Sequence, residues 1–268
     1  MLNGGGGADT LTGGNGGDTA SYANDTVGVV VQLATGFTAG GEAAGDVLIE
    51  IESVTGGSGN DELMGDIGSN VLNGGAGDDA IGGGEGSDTV IGGAGGDTMD
   101  GGDGIDLLSY ATSKLGVSVD MGLGNGTASS GDGTGDTFTN FENVLGSPVG
   151  DFIKGDQHAN VLFGGRGADV LDGAGGNDRL VGGEQDDVFR YGSGGWHDTI
   201  VDFNANFGVN EFIELYMGSA FDTFAEVMAV AVSFGSSGQH TSFAFSPTES
   251  LTLLNVSKAL LTESDFQF

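Results

Sequence analysis

The chain has 268 residues, of which 57 are glycine, two are proline and none is cysteine; six Lys and Arg stand against 39 Asp and Glu, a formal net charge of −33. These figures exclude a collagen-like period with its prolines and a disulfide framework or thiolate metal centre. Nucleic acid and an anionic membrane surface are excluded as partners too, because both attract basic surfaces.

The length allows one or two domains. A chain this acidic repels itself when compact, so either it is disordered or counter-cations complete its fold. No apolar run approaches the ~18 residues of a membrane-spanning helix. The N-terminal MLNGGGGADT has neither the basic nor the apolar region of a Sec-type signal peptide. A repeat stands directly against residue 1, as it would at the end of a longer chain.

In chain order, the organising element is the nonapeptide G-G-x-G-x-D-x-U-x, with U apolar. Units begin at Gly4 and Gly13, then at Gly56, Gly65, Gly74, Gly83, Gly92 and Gly101, and again at Gly146, Gly155, Gly164, Gly173 and Gly182. The four units from Gly74 to Ser109 keep every fixed position, with Asp79, Asp88, Asp97 and Asp106 at position 6 and Ile81, Val90, Met99 and Leu108 at position 8. Other units degrade: Asn70 and Asn160 replace Asp, and Gln185 replaces the third Gly.

Two longer segments, 22–55 and 110–145, separate the repeat blocks and resemble each other: ASYA (20–23) matches LSYA (108–111), and IESVTG matches FENVLG. Downstream, NVLNGGAGDD and NVLFGGRGAD align at an offset of 90 residues. The alternation of Val29, Val31 and Leu33, and of Val47, Ile49 and Ile51, predicts strands with one buried face that extend the stack.

Beyond about Tyr191 aromatic residues become frequent, among them Trp196, Phe203, Phe207, Phe212 and Tyr216. A short helix is expected over 222–232, strands over 242–245 and 250–256, and an amphipathic tail over 258–268. Such a region fits the cap that an open repeat stack requires.

The chemistry follows from the unit. Glycine at positions 1, 2 and 4 allows a tight turn, and positions 7 to 9 form a short strand with U inward. Two units make one coil, and coils stacked at ~4.8 Å build two facing parallel sheets. Unit n then lies against unit n+2, and each column of turns carries an Asp every ~4.8 Å. A hard divalent cation between turns relieves the repulsion. Carboxylates and carbonyls suit Ca2+, whereas Mg2+ demands stricter geometry and zinc lacks Cys and paired His.

The nonapeptides resemble the RTX (repeats-in-toxin) repeat of hemolysin-type calcium-binding proteins, over roughly residues 1–190. The longer segments look like those of serralysin-type C-terminal domains, and SLTLLNV…ALLTESDFQF is similar to the tail of RTX proteins exported by type I secretion. The resemblance implies an all-β, right-handed parallel β-roll of stacked two-unit coils over residues 1–190, with a C-terminal β-rich cap and secretion-signal region over 191–268. It implies that carbonyls 2 and 4 and the Asp of one turn share an ion with carbonyls 1 and 3 and the Asp of the turn two units on.

Carried onto this sequence, the ligands are Gly57, Gly59 and Asp61; Asn70; Gly74, Gly75, Ala76, Gly77 and Asp79; Gly83, Gly84, Glu85, Gly86 and Asp88. They continue with Gly92, Gly93, Ala94, Gly95 and Asp97, then Gly101, Asp103 and Asp106. The last block supplies Asp151; Gly164, Gly165, Arg166, Gly167 and Asp169; Gly173, Gly175 and Asp178; Gly182, Glu184 and Asp187. Asp9, Asp18 and Asn160 stand apart, since the units at Gly4 and Gly13 have no in-register partner unit, while Asn160 is uncharged and His158 replaces a glycine. Pairs within blocks give about seven Ca2+.

An enzyme is not expected. H-E-x-x-H, G-x-S-x-G and G-K-[ST] are all absent, and His158, His197 and His240 are far apart in sequence. Two functions remain. One is a secreted, non-catalytic module that folds on Ca2+ after type I export, behind an N-terminal cargo domain. The other is a Ca2+-dependent adhesin or polysaccharide-binding module of a larger extracellular protein. A ladder of outward Thr or aromatic side chains would mark the second, and positions 7 and 9 vary too much to make one, which favours the first.

Overall fold

Each nonapeptide has one obligatory apolar side chain, and that side chain sets which face turns inward. Leu63, Leu72, Ile81, Val90, Met99 and Leu108 are buried in the first repeat run, and Ile153, Leu162, Leu171, Leu180 and Phe189 in the second. The computed structural model describes all residues except Leu123, Ser193, Gly195, 206–209, 218–220 and 236–237. Phe207, one of the C-terminal aromatics, therefore lies outside the described residues. The chain divides into two units, Met1–Asn143 and Val144–Phe268.

In the first unit, one parallel sheet runs through Thr19–Ser21, Ser53–Thr55, Val71–Ala76, Thr89–Ala94 and Leu107–Ser109. A second runs through Val30–Gln32, Glu62–Met64, Ala80–Gly86, Thr98–Gly104 and Thr137–Thr139. Val90 pairs with Leu72 and Met99 with Ile81, so equivalent positions two nonapeptides apart are neighbours. Several strands run on past position 9 into the next turn, because turn backbones pair as well: Gly75 lies opposite Gly93 and Gly84 opposite Gly102.

The second unit repeats this plan. Phe152–Lys154, Val170–Asp172, Val188–Gly192, Phe212–Tyr216 and Phe266–Gln267 form one parallel series. Val161–Arg166, Arg179–Glu184, His197–Ile200 and Glu249–Leu253 form the other, to which His240–Ser246 and Ala231–Phe234 add antiparallel. The C-terminal region thus continues both sheets of its unit and closes over an aromatic cluster in which Phe243 meets Phe245 and Phe266. The fold is a parallel β-roll. The expected helix is shorter than 222–232: it spans Phe224–Ala229, stopped at its start by a capping box between Thr223 and Glu226.

Two expectations about the longer segments are corrected. Val47 and Ile49 face outward, at 49% and 42% exposure, and it is Leu48 that pairs with the buried Leu11. Parallel pairing of Thr10–Thr12 with Val47–Ile49 fixes this, since a period of two sends Leu48 inward and its neighbours out. The first two units also do have in-register partners, supplied by the longer segment: Thr10–Thr12 by Val47–Ile49 and Thr19–Ser21 by Ser53–Thr55. The same segments carry antiparallel strands, Phe37–Ala39 on Val30–Gln32 and Gly126–Ser129 on Thr137–Thr139.

Interior turns hold positions 2 and 4 at positive φ, as at Gly75 (108°) and Gly77 (118°). Two degraded units keep that conformation without glycine, Ala174 at φ 64° and Gln185 at φ 89°. Packing of the stack imposes it against the Cβ clash. Ala174→Gly should therefore raise stability by about 1 kcal/mol, read as a higher urea midpoint of the folded chain.

Candidate metal centres in the stacked turns

Position 6 of each unit lies where the strand begins, so the roll carries its Asp side chains in two columns. Within a column the rungs are tied by one recurring bond. The amide of Asp61 donates to Asp79 Oδ1 at 2.7 Å, Asp79 to Asp97 at 2.9 Å, Asn70 to Asp88 at 2.7 Å and Asp88 to Asp106 at 2.7 Å. The second unit repeats it: Asp151 donates to Asp169 at 2.7 Å, Asp169 to Asp187 at 2.9 Å and Asn160 to Asp178 at 2.9 Å.

That bond uses one oxygen of each carboxylate. Oδ2 of Asp79, Asp88, Asp97, Asp106, Asp169 and Asp178 is buried without a hydrogen-bond partner, as is Oδ2 of Asp9. A buried carboxylate oxygen without a donor is costly, and six of these aspartates are at most 2% exposed.

The first two turns of each repeat run, one in each column, are built differently. There the amide at position 2 points into its own turn: Gly57 donates to Asp61 Oδ2 and Ser147 to Asp151 Oδ2, each at 2.6 Å, Asp66 to Asn70 Oδ1 at 2.7 Å and Asp156 to Asn160 Oδ1 at 2.9 Å. In the interior turns positive φ turns that amide away, and the aspartate loses this donor.

Backbone carbonyls approach the same places. A Cβ on Gly74 would collide with Asp79 Oδ2 and with the Gly92 carbonyl, and one on Gly164 with Asp169 Oδ2 and the Gly182 carbonyl. The carbonyls of Gly57, Gly59, Gly75, Gly77, Gly84, Gly86 and Gly165 lie under the equivalent glycines of the turn two units on. Turn carbonyls also accept ladder bonds, as Gly57 does from Ala76 (2.9 Å) and Ala94 does from Gly77 (2.8 Å). A carbonyl has a second lone pair. Among the described residues no three His, Cys, Asp or Glu side chains converge as a metal cluster, so a cation held here draws on carbonyls as well. An array of carboxylate and carbonyl oxygen suits a hard divalent ion.

The columns continue into residues that repeat matching overlooks. Asp97 donates to Asp136 Oδ1 (2.9 Å) and Asp106 to Glu142 Oε2 (2.8 Å); ninety residues earlier Asp9 donates to Asp46 Oδ1 and Asp18 to Glu52 Oε2, each at 2.8 Å. In the second unit Asp178 donates to Asp198 Oδ1 at 3.0 Å. The signal was present in the duplication, which aligns Asp46 with Asp136 and Glu52 with Glu142. His158, by contrast, is exposed beside Asp156, with its ring Nδ1 2.8 Å from the carboxylate.

Burial pushes the Asp79 carboxyl up to about 7, against the pull of the Asp61 amide, and the charges of Asp97 and Asp61 add to the rise. Burial likewise lifts Asp169 to about 7 and Asp178 to about 8, with neighbouring carboxylates adding to both. Asp88, Asp97 and Asp106 rise for the same first cause. A carboxyl raised in the fold above its unfolded value of about 4 stabilises the metal-free fold fully below that value. The contribution is lost as pH rises through about 7 to 8. In chelator, strand circular dichroism should therefore grow as pH falls from about 8 to about 5. Adding Ca2+ to unbuffered protein at pH 7 should release protons, detectable by a pH electrode.

Comparison with known proteins agrees with this chemistry. The family model for the RTX calcium-binding nonapeptide repeat matches in four copies, over residues 1–20, 55–90, 81–108 and 151–195. No curated protein sequence matches. Among solved structures, the extracellular lipase LipA from Serratia marcescens is similar at 15% identity and a TM-score of 0.32, over 79% of this chain and 40% of that one. The chain thus spans less than half of that relative's length. It carries RTX hemolysin-type calcium-binding repeats in all three of its repeat blocks.

Proposed function

We propose that the chain is a calcium-loaded folding module, in which each unpartnered aspartate oxygen is a Ca2+ ligand. The observation that carries this is the set of six buried Oδ2 atoms in register within the two repeat runs. The strongest sites lie between interior turns. Asp79 and Asp97 act with carbonyls of the turns at Gly74 and Gly92, Asp88 and Asp106 with those at Gly83 and Gly101, and Asp169 and Asp187 with those at Gly164 and Gly182. Pairs involving a first turn, such as Asp61 with Asp79 or Asn70 with Asp88, complete a set of about seven ions.

Extracellular calcium modules bind at about 10⁻⁴ to 10⁻³ M, far above cytosolic levels. The chain would stay unfolded and exportable inside the cell and fold outside by mass action. It is non-catalytic and secreted in this reading, uses the type I machinery through its C-terminal region, and serves a cargo domain on its N-terminal side.

One observation favours the second function. Thr98, Thr137 and Thr127 lie side by side on three adjacent strands and are all exposed. The longer segment completes this short ladder, which the nonapeptides alone do not make. It borders a groove of about 660 Å3 that also includes Met64, Gly82 and Asn125. A polysaccharide is the ligand class for such a face.

In EDTA the chain should lack most strand signal and regain it in millimolar Ca2+; identical far-UV spectra in the two conditions would sink the folding reading. Asp88→Ala removes a ligand from an interior turn and should raise the calcium midpoint of that transition several-fold. On a glycan array, Ca2+-dependent signal that Thr137→Ala abolishes would favour polysaccharide binding, and a blank array would leave the folding module alone.

A further inference from the structure

We infer that the longer segment 110–145 is itself part of the metal ladder and builds a cation site with Asp106, from residues outside the nonapeptides. The inference rests on the calcium reading of the repeats and extends it to a carboxylate and a carbonyl that the repeat pattern does not contain.

Asp106 is the last aspartate of its column in the middle repeat block. Its side chain is 0% exposed, its Oδ1 accepts the amide of Asp88 at 2.7 Å, and its Oδ2 is buried without a partner. Elsewhere the oxygen in that position faces the first carbonyl of the turn two units on, as Asp79 Oδ2 does with the Gly92 carbonyl beside Gly74. No such turn follows Asp106 in sequence. The backbone of Asn140 takes its place, because a Cβ on Gly101 would meet the Asn140 carbonyl, as one on Gly83 would meet the Gly101 carbonyl. Two residues later, Glu142 Oε2 accepts the Asp106 amide at 2.8 Å, the bond that an Asp accepts at the preceding rungs of the middle repeat block. A glutamate's extra methylene lets a turn of two residues do what the nonapeptide does with five.

The glutamate and the carbonyl of this arrangement occur twice, although Asp18, which stands in the place of Asp106 in the earlier copy, is only half-buried. Ninety residues earlier, Glu52 Oε2 accepts the Asp18 amide at 2.8 Å, and the Glu50 carbonyl lies against Gly13. Glu50 and Asn140 adopt the same left-handed backbone, at φ 52° and 57°, which turns each carbonyl toward the column. The other column ends differently at the same level. Asp136 accepts the Asp97 amide on Oδ1 and the Tyr110 hydroxyl on Oδ2, each at 2.9 Å, so both of its oxygens are satisfied by protein. Each longer segment therefore closes one column with a tyrosine and extends the other with a glutamate. The ligand class is a hard divalent cation with Ca2+ coordination, since the donors are two carboxylates and a carbonyl.

The test is the number of ions bound by the full chain, measured by equilibrium dialysis against Ca2+ with elemental analysis. Glu142→Gln keeps an oxygen to accept the Asp106 amide and removes the charge. It should retain the far-UV spectrum of the loaded fold and bind about one ion fewer. Combining it with Glu52→Gln should remove about two. A full complement of ions in both variants would overturn the inference while leaving the nonapeptide sites intact, whereas a wild-type chain that binds no Ca2+ would overturn both readings. Should Glu142→Gln fail to fold in excess Ca2+, Glu52→Gln gives the same count at the copy. Failure of both to fold would also overturn the inference, since the carboxylates would then act as clamps on amides rather than as ligands.

Discussion

The interaction on which this roll depends is the bond from one aspartate's amide to the carboxylate of the unit stacked upon it, two nonapeptides on. It sets register and creates the electrostatic problem in the same stroke. Fixing Oδ1 onto the neighbouring rung leaves Oδ2 buried beside like charge at strand spacing, and the raised carboxyls of Asp79, Asp169 and Asp178 record that cost. The apolar ladder does not offset it unaided. A buried side chain of this size contributes about 2 kcal/mol, the scale on which one or two ordered residues cost backbone entropy, and each rung orders nine. In the proposed calcium reading, the ion is part of the fold's stabilisation rather than an addition to it.

The longer segments show how such a ladder is interrupted without breaking the sheets. Each feeds a strand into the stack and closes one column with a buried tyrosine, Tyr22 on Asp46 at 3.1 Å and Tyr110 on Asp136 at 2.9 Å. A hydroxyl donor satisfies a carboxylate oxygen without any ion. Burial first, and then the paired carboxylate, pushes both phenols far above their ordinary range, so they remain donors.

Much of this was legible in the sequence, because a nine-residue period with one fixed acid and one fixed apolar position dictates coil length, facing sheets and the partner two units away. Leu72 against Val90 and Asp79 against Asp97 follow from spacing alone. What did not follow was wherever spacing changed. Asp46, Glu52, Asp136 and Glu142 join the columns at separations of 34 to 39 residues, set by hairpins whose length no period encodes. Alternation also put the wrong face of Val47–Ile49 inward, since Leu48 lies among apolar neighbours and only the partner strand decides which face is buried.

Sequence matching also treats all turns as equal, and the structure separates them. Asn70 and Asn160 appear as defects in the motif, yet both stand on the first rung of a repeat run, where the layer before them is not a nonapeptide. There a carboxylate would have a cation on one side only. The chain meets this either with a neutral side chain, as when Asn70 accepts from Asp66 and donates to the Glu52 carbonyl, or with a turn whose own amide faces the acid, as at Asp61 and Asp151. Glycine at position 2 thus has opposite uses. At Gly57 it lets the amide reach the carboxylate, and at Gly75, held at φ 108°, it removes that amide and leaves the oxygen without a donor. A motif match reports where an aspartate stands, while at Asp61 and Asp79 the φ of the glycine four residues before it decides whether its second oxygen has a backbone donor.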